Sequence, residues 1–134
     1  MEDWKTNLLV VSEKHRLIIF AITSKLHVYE LDILTCDMVK LVKVIHLNNN
    51  DSLINNIRLV NCARSDFVIT VDDGANVRMI FLDSLDREPI KFTNTHPFAS
   101  DNSTWSCDGI GTHPPRVVVG SNAHALSIID LSND

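Results

Sequence analysis

Residue types able to do acid–base, nucleophilic or metal chemistry are present in this chain, but at spacings that keep them apart. The six histidines, His15, His27, His46, His96, His113 and His124, stand singly, with no HxH or HExxH pair to offer one ion two imidazoles. His124 reads instead as a turn residue beside Asn122, where short polar side chains bond the backbone and close a hairpin. Asp72, Asp73 and Asp83 fall in "DDGANVRMIFLD", which lacks the alternate oxygen ligands and final Glu of a calcium loop, so a solvated turn is expected. Ser121, in "VVVGSNAH", looks superficially like a nucleophile elbow, yet the G-x-S-x-G frame is absent and a strand follows where that motif needs a helix. The single Gly74 of "DDGAN" cannot line a phosphate with glycine backbone. No catalytic, cofactor-binding or metal-ligating residue is assigned, and the expectation is a protein that is not an enzyme.

Composition narrows the class further. The chain has 134 residues, one domain's worth, with 45% hydrophobic content and mixed charges, as in soluble globular proteins. A net charge of −5 with scattered Lys and Arg provides no electrostatic footprint for phosphate backbones, so nucleic acid is not expected as a direct ligand. "LLVV" and "LIIFAI" are far shorter than the roughly 20 residues that span a bilayer, and "MEDWKTN" lacks the positive start of a secretory signal. Cys36, Cys62 and Cys107 form no CxxC pair and read as half-buried thiols in a reduced compartment, nuclear or cytoplasmic. "NDS" at Asn50 and "NST" at Asn102 match a glycosylation pattern that matters only in secreted chains and read as polar loops.

The elements that would position side chains emerge from a repeat. "HRLIIFAITSKLHVYELD" (15–32), "SDFVITVDDGANVRMIFLD" (65–83) and "PRVVVGSNAHALSIIDL" (115–131) each hold a β-branched run, a polar turn and an alternating strand. Leu26, Val77 and Leu126 open the second strands, at offsets of 77 − 26 = 51 and 126 − 77 = 49. "TSK", "DDGAN" and "SNAH" supply hairpin corners. Strands are expected near 16–23, 26–31, 66–71, 77–82, 116–120 and 125–130. Upstream, "NLLVVS" (7–12), "NIRLVN" (56–61) and "WSCDGI" (105–110) add another strand per unit. "MVKLVKVIHL" (38–47) and "PIKFTN" (89–94) alternate as half-exposed outer strands. For 38–47 a helix competes, since Val39, Val42 and Ile45 also sit three apart, but β-branched content and the missing cap favour strand.

The fold class is therefore all-β, and four-stranded antiparallel units at this period are the signature of β-propeller blades. "LHVYE", "VRMIF" and "LSIID" resemble the Val-x-Ile-Trp-Asp strand of WD repeats, with Tyr29, Ile80 and Ile129 in place of Trp and an acid kept only at Glu30 and Asp130. Asn102, Ser103, Trp105, Arg116, Ser121, Asn122 and His124 follow a pattern that resembles fungal WD-repeat regulators of ribonucleotide reductase gene transcription, which are also subunits of a cullin-type ubiquitin ligase. Thr104 and Ser106 depart from it, and "WKTNLLVVS…LHVY" (4–29) resembles the opening blade of that family. The resemblance implies a protein-interaction scaffold with a cullin-ligase adaptor among its partners; an enzymatic or small-molecule-binding propeller is the rival reading.

The units divide as 4–50, 51–98 and 99–134, about three blades, whereas closed propellers have roughly four to eight. A partial propeller is expected, whose open edges and apolar faces pair with further blades or with another copy. Trp105 reads as blade core, with a surface anchor for a partner as the alternative. Trp105→Ala then costs about 3–5 kcal/mol in urea unfolding; a cost below about 1 kcal/mol accompanied by lost partner binding marks the anchor instead.

Overall fold

The computed structural model describes residues 8–47, 53–61, 66–73, 76–92, 104–112, 115–121 and 126–130. Among the described residues eleven strands follow one another: β1 (Leu9–Ser12), β2 (Leu17–Ile22), β3 (Lys25–Asp32), β4 (Asp37–His46), β5 (Ile54–Asn61), β6 (Asp66–Asp72), β7 (Val77–Phe81), β8 (Ile90–Phe92), β9 (Thr104–Thr112), β10 (Pro115–Ser121) and β11 (Leu126–Asp130). They pair as antiparallel meanders into sheets ordered β1-β2-β3-β4, β5-β6-β7-β8 and β11-β10-β9. The strands expected from the turn spacing are present to within two residues at either end, and the disputed segment 38–47 lies in strand β4, not a helix.

Period two decides which side chains meet. In β2, Leu17, Ile19 and Ala21 are buried while Ile18, Phe20 and Ile22 take the other face. Opposite them in the register stand Val10, Leu26 and Val28, so one side of the first sheet is continuously apolar. That side packs on Ile54, Ile57, Val68, Ile80 and Leu82 of the second sheet to form one core cluster. The reverse side of the second sheet gathers Val60, Ile69, Val71, Val77, Met79 and Phe81 into another. β9 of the third sheet lies against β5 and β6. The second sheet is thus buried on both faces.

Two hairpin corners explain how the sheets are spaced. Between β2 and β3 the turn is only Thr23 and Ser24, and Thr23 adopts φ 56°, a left-handed conformation unfavourable for a β-branched residue. Strain of about 1–3 kcal/mol is typical of such positions. It is offset here because the turned Thr23 carbonyl accepts the Ile54 N–H at 2.8 Å, and the Ser24 carbonyl accepts that of Leu47 at 3.4 Å. Between β3 and β4, the Asp32 carboxylate accepts the N–H groups of Leu34 (2.9 Å) and Thr35 (3.4 Å), fixing an exposed tip.

Two expectations are corrected. Asp72 is not in a solvated turn: it is 1% exposed, and its Oδ2 lies 2.8 Å from Nη1 of the equally buried Arg78. Asn76 adds a backbone bond of 3.0 Å and side-chain bonds to both carboxylate oxygens. Buried charge survives only when paired in this way, and the partner lies on the next strand. Cys36, expected half-buried, is exposed at the β3–β4 tip; the side chains of Cys62 and Cys107 lie outside the described residues. Asp72→Ala is expected to lower unfolding free energy by about 3–5 kcal/mol, and pairing it with Arg78→Met to recover most of that loss, both read from urea midpoints.

Candidate protein-interaction surface

A serine, a histidine and an aspartate meet between the first two sheets, bonded in an order other than that of a Ser–His–Asp relay. Ser12 ends β1, fully buried, and its hydroxyl donates to Asp66 Oδ2 at 2.8 Å. His15 lies in the β1–β2 turn, and its Nε2 accepts the Asp66 N–H at 3.1 Å, so this nitrogen carries no proton. Lys14 Nζ lies 3.4 Å from Asp66 Oδ1, and the Ser12 hydroxyl also accepts the His15 N–H at 3.2 Å. The serine hydroxyl is bonded to the carboxylate and not to the imidazole, unlike a Ser–His–Asp relay, in which the imidazole takes the serine proton. The group is a clamp between sheets. No spacing motif announces it, since Ser12 and His15 lie 54 and 51 residues from Asp66; the only sequence signal is that both distances approximate one repeat.

The clamp and the Thr23 turn hold the first sheet so that β4 becomes its outer strand. The His46 end of β4 is tied down: Ile45 is buried, and Lys43 Nζ donates to the Leu85 carbonyl at 2.6 Å and lies 3.5 Å from Asp86. Arg87 in turn sits 3.8 Å over the Phe81 ring, fastening the same segment to β7. The other end of β4 projects, with every residue from Asp37 to Val42 exposed.

This projecting half was expected to be half-exposed, and every residue of it is exposed, the apolar ones included. Met38, Val39, Leu41 and Val42 are exposed, as are Ile33 and Leu34 in the adjoining tip, Leu34 at 95%. Its pairing with β3 is irregular at two places: Val28 pairs Lys43 and Tyr29 pairs Leu41, leaving Val42 extra, while Glu30 pairs Lys40 and Leu31 pairs Met38, leaving Val39 extra. Such bulges bend a strand and re-aim the extra side chain. Beneath the tip opens a cleft of about 490 Å³ lined by Arg16, Glu30, Leu31, Asp32, Ile33, Leu34 and Val39. Arg16, at φ 55°, turns its carbonyl to accept the Leu31 N–H at 2.9 Å, and Lys40 lies 3.8 Å from Glu30. The surface suits an extended polypeptide: a strand edge that pairs with no other described strand, apolar side chains and paired charges at its margin. Among the described residues no group of three or more His, Cys, Asp or Glu is arranged to hold a metal.

Of the motif residues, Trp105, Arg116 and Ser121 lie on the third sheet, and Asn102 and Ser103 lie outside the described residues. Trp105 is on β9, at an irregularity where Ser106 pairs Gly120 and Thr104 pairs Ser121, so Trp105 and Ser121 share one end of the sheet. Arg116 is exposed at the other end, opposite Ile110 and Asp130, five residues or roughly 17 Å along β10. Asn122 and His124 lie outside the described residues. The backbone therefore brings Trp105 and Ser121 together and leaves Arg116 apart.

Consecutive antiparallel meanders stacked face to face, without a helix among the described residues, define an all-β partial propeller of WD-repeat-like blades. No family model matches the chain. A WD40 repeat-containing protein of Dictyostelium discoideum is 30% identical over 133 residues, which is 98% of this chain and 18% of that protein. The chain thus spans less than a fifth of the relative it matches. Ser12→Ala is expected to destabilise the fold by about 1–3 kcal/mol, because it strips a buried carboxylate of a donor, and thermal unfolding of the two proteins checks it.

Proposed function

We propose that the chain is a non-enzymatic interaction module whose docking surface is the projecting half of β4, with the Ile33–Leu34 tip and the Arg16 cleft. The occupant is an extended, largely uncharged segment of another protein, added along the outer edge of β4 as a further strand. One observation carries this reading: Val39 and Val42 are the extra residues of two bulges on an edge strand and remain exposed, at 58% and 43%. Charge on this half of the strand is confined to Asp37 and to Lys40, which lies 3.8 Å from Glu30, while Met38, Val39, Leu41 and Val42 supply exposed apolar side chains between them. Similarity to a WD40 repeat-containing protein supports the same class of work.

In its finer form the reading is a scaffold of the cullin-type ubiquitin ligase acting in transcriptional control of ribonucleotide reductase, in the nucleus or cytoplasm. It rests on Trp105, Arg116, Ser121, Asn122 and His124, whose pattern resembles that family, and on blades at 4–50, 51–98 and 99–134. Affinity purification from the native cell tests both levels. Recovery of ligase subunits, with overlapping peptides from them binding the purified chain through an apolar extended segment, supports the proposal. Val39→Lys with Val42→Lys is expected to weaken that peptide at least tenfold while the urea midpoint stays unchanged. Small-molecule turnover that Arg16→Ala abolishes overturns it.

A further inference from the structure

The cleft beneath the β3–β4 tip carries charge that the exposed stretch of β4 largely lacks. Leu31, Ile33, Leu34 and Val39 give it apolar walls, and Arg16, Glu30 and Asp32 are its ionisable residues. Both acids already have partners. Asp32 Oδ1 accepts the N–H groups of Leu34 and Thr35, and Glu30 Oε2 lies 3.8 Å from Lys40 Nζ. The exposed guanidinium of Arg16 has no carboxylate partner among the described residues.

Backbone geometry fixes where that guanidinium starts from. Arg16 has φ 55°, in the left-handed region that disfavours a residue with a Cβ, and its carbonyl there accepts the Leu31 N–H at 2.9 Å. Gly would adopt the same turn at less cost, so the turn by itself does not account for an arginine. On the other side of the cleft stands Val39, the extra residue of the bulge between Met38 and Lys40. The cleft therefore runs across the end of the first sheet, from the β1–β2 turn to the exposed half of β4.

We propose, resting on β4 as the docking edge, that the segment bound there carries one carboxylate side chain, at the end that turns into this cleft, paired with Arg16. Apolar residues beside that acid cover Leu31, Ile33, Leu34 and Val39. Main-chain bonds along a strand edge are alike at every register, so an apolar edge alone does not decide where a segment stops; an ion pair at one end does. Arginine binds a carboxylate with two parallel N–H donors, and apolar walls strengthen the pair by excluding water. A single charge is what fits, because Glu30 and Asp32 line the same cleft and repel a doubly charged phosphate.

A phage-displayed library of random linear peptides, selected on the 134-residue chain after depletion on its Val39→Lys/Val42→Lys variant, supplies the probe. Recovered peptides are expected to alternate apolar residues and to carry one Asp or Glu near one end. In fluorescence anisotropy with synthetic copies, exchanging that acid for its amide weakens binding to wild type at least tenfold. Arg16→Gln weakens the acidic peptide as much, yet binds the amide peptide as wild type does. A peptide with Lys in place of the acid binds Arg16→Glu more tightly than wild type. The Arg16 pairing is overturned, with the docking edge intact, if edge-dependent peptides carry no acid, prefer phosphoserine there, or lose as much on amide exchange against Arg16→Gln as against wild type. Recovery of no peptide that distinguishes wild type from Val39→Lys/Val42→Lys overturns the docking edge and the pairing together. Circular dichroism matching wild type shows that each variant is folded.

Discussion

A single buried carboxylate fixes how the first sheet lies on the second. Apolar burial drives the two together, but it is non-directional and would tolerate sliding by a residue. Asp66 removes that freedom, because Ser12 donates to one oxygen, Lys14 faces the other and His15 takes the backbone N–H. A slip of one residue would leave a buried carboxylate without these donors, a loss that directional bonds in a low-dielectric interior make expensive. The position of β4, the cleft under its tip and the open outer face of the first sheet all follow from this placement.

The same physics recurs at Asp72 and Arg78, a charge pair inside the second sheet. Both sites concentrate residue types associated with catalysis, and both spend them on structure. Their serine, histidine and carboxylate groups bond one another, neighbouring cations or backbone across the sheets. Exposed apolar side chains lie at the periphery instead, Met38, Val39, Leu41 and Leu34 among them. Strained backbone at Arg16 and Thr23 serves the same division, since each turns a carbonyl toward a distant N–H and so ties a surface hairpin to the core.

Stacked sheets also explain why exposure differs between equivalent residues. Ile57 and Leu9 occupy matching places in successive units, yet one is sealed and the other is half open. The difference comes from the neighbour on that face, not from the residue. In a quasi-one-dimensional stack each unit is completed by the next, so the outward face of a first unit keeps the chemistry of an interior one.

Hairpins, strand type and the repeat were legible in the sequence because they depend on near neighbours: β-branched alternation in "LIIFAI", turn chemistry in "DDGAN" and the return of that pattern after about fifty residues. The all-β architecture followed from those local signals, and so did the strand at 38–47. The burial of Asp72 did not, because a carboxylate in a turn looks solvated until a guanidinium on the adjacent strand is placed beside it. The Ser12–His15–Asp66 clamp was hidden for a related reason, its members belonging to two different units. That the outer half of β4 is exposed along its whole length was not legible, because alternation assumes regular pairing and two bulges shift Val39 and Val42 out of it. Periodicity along the chain thus determined the strands, while contacts between sheets decided which polar groups are buried and which apolar ones stay open, since those depend on distances that only stacking creates.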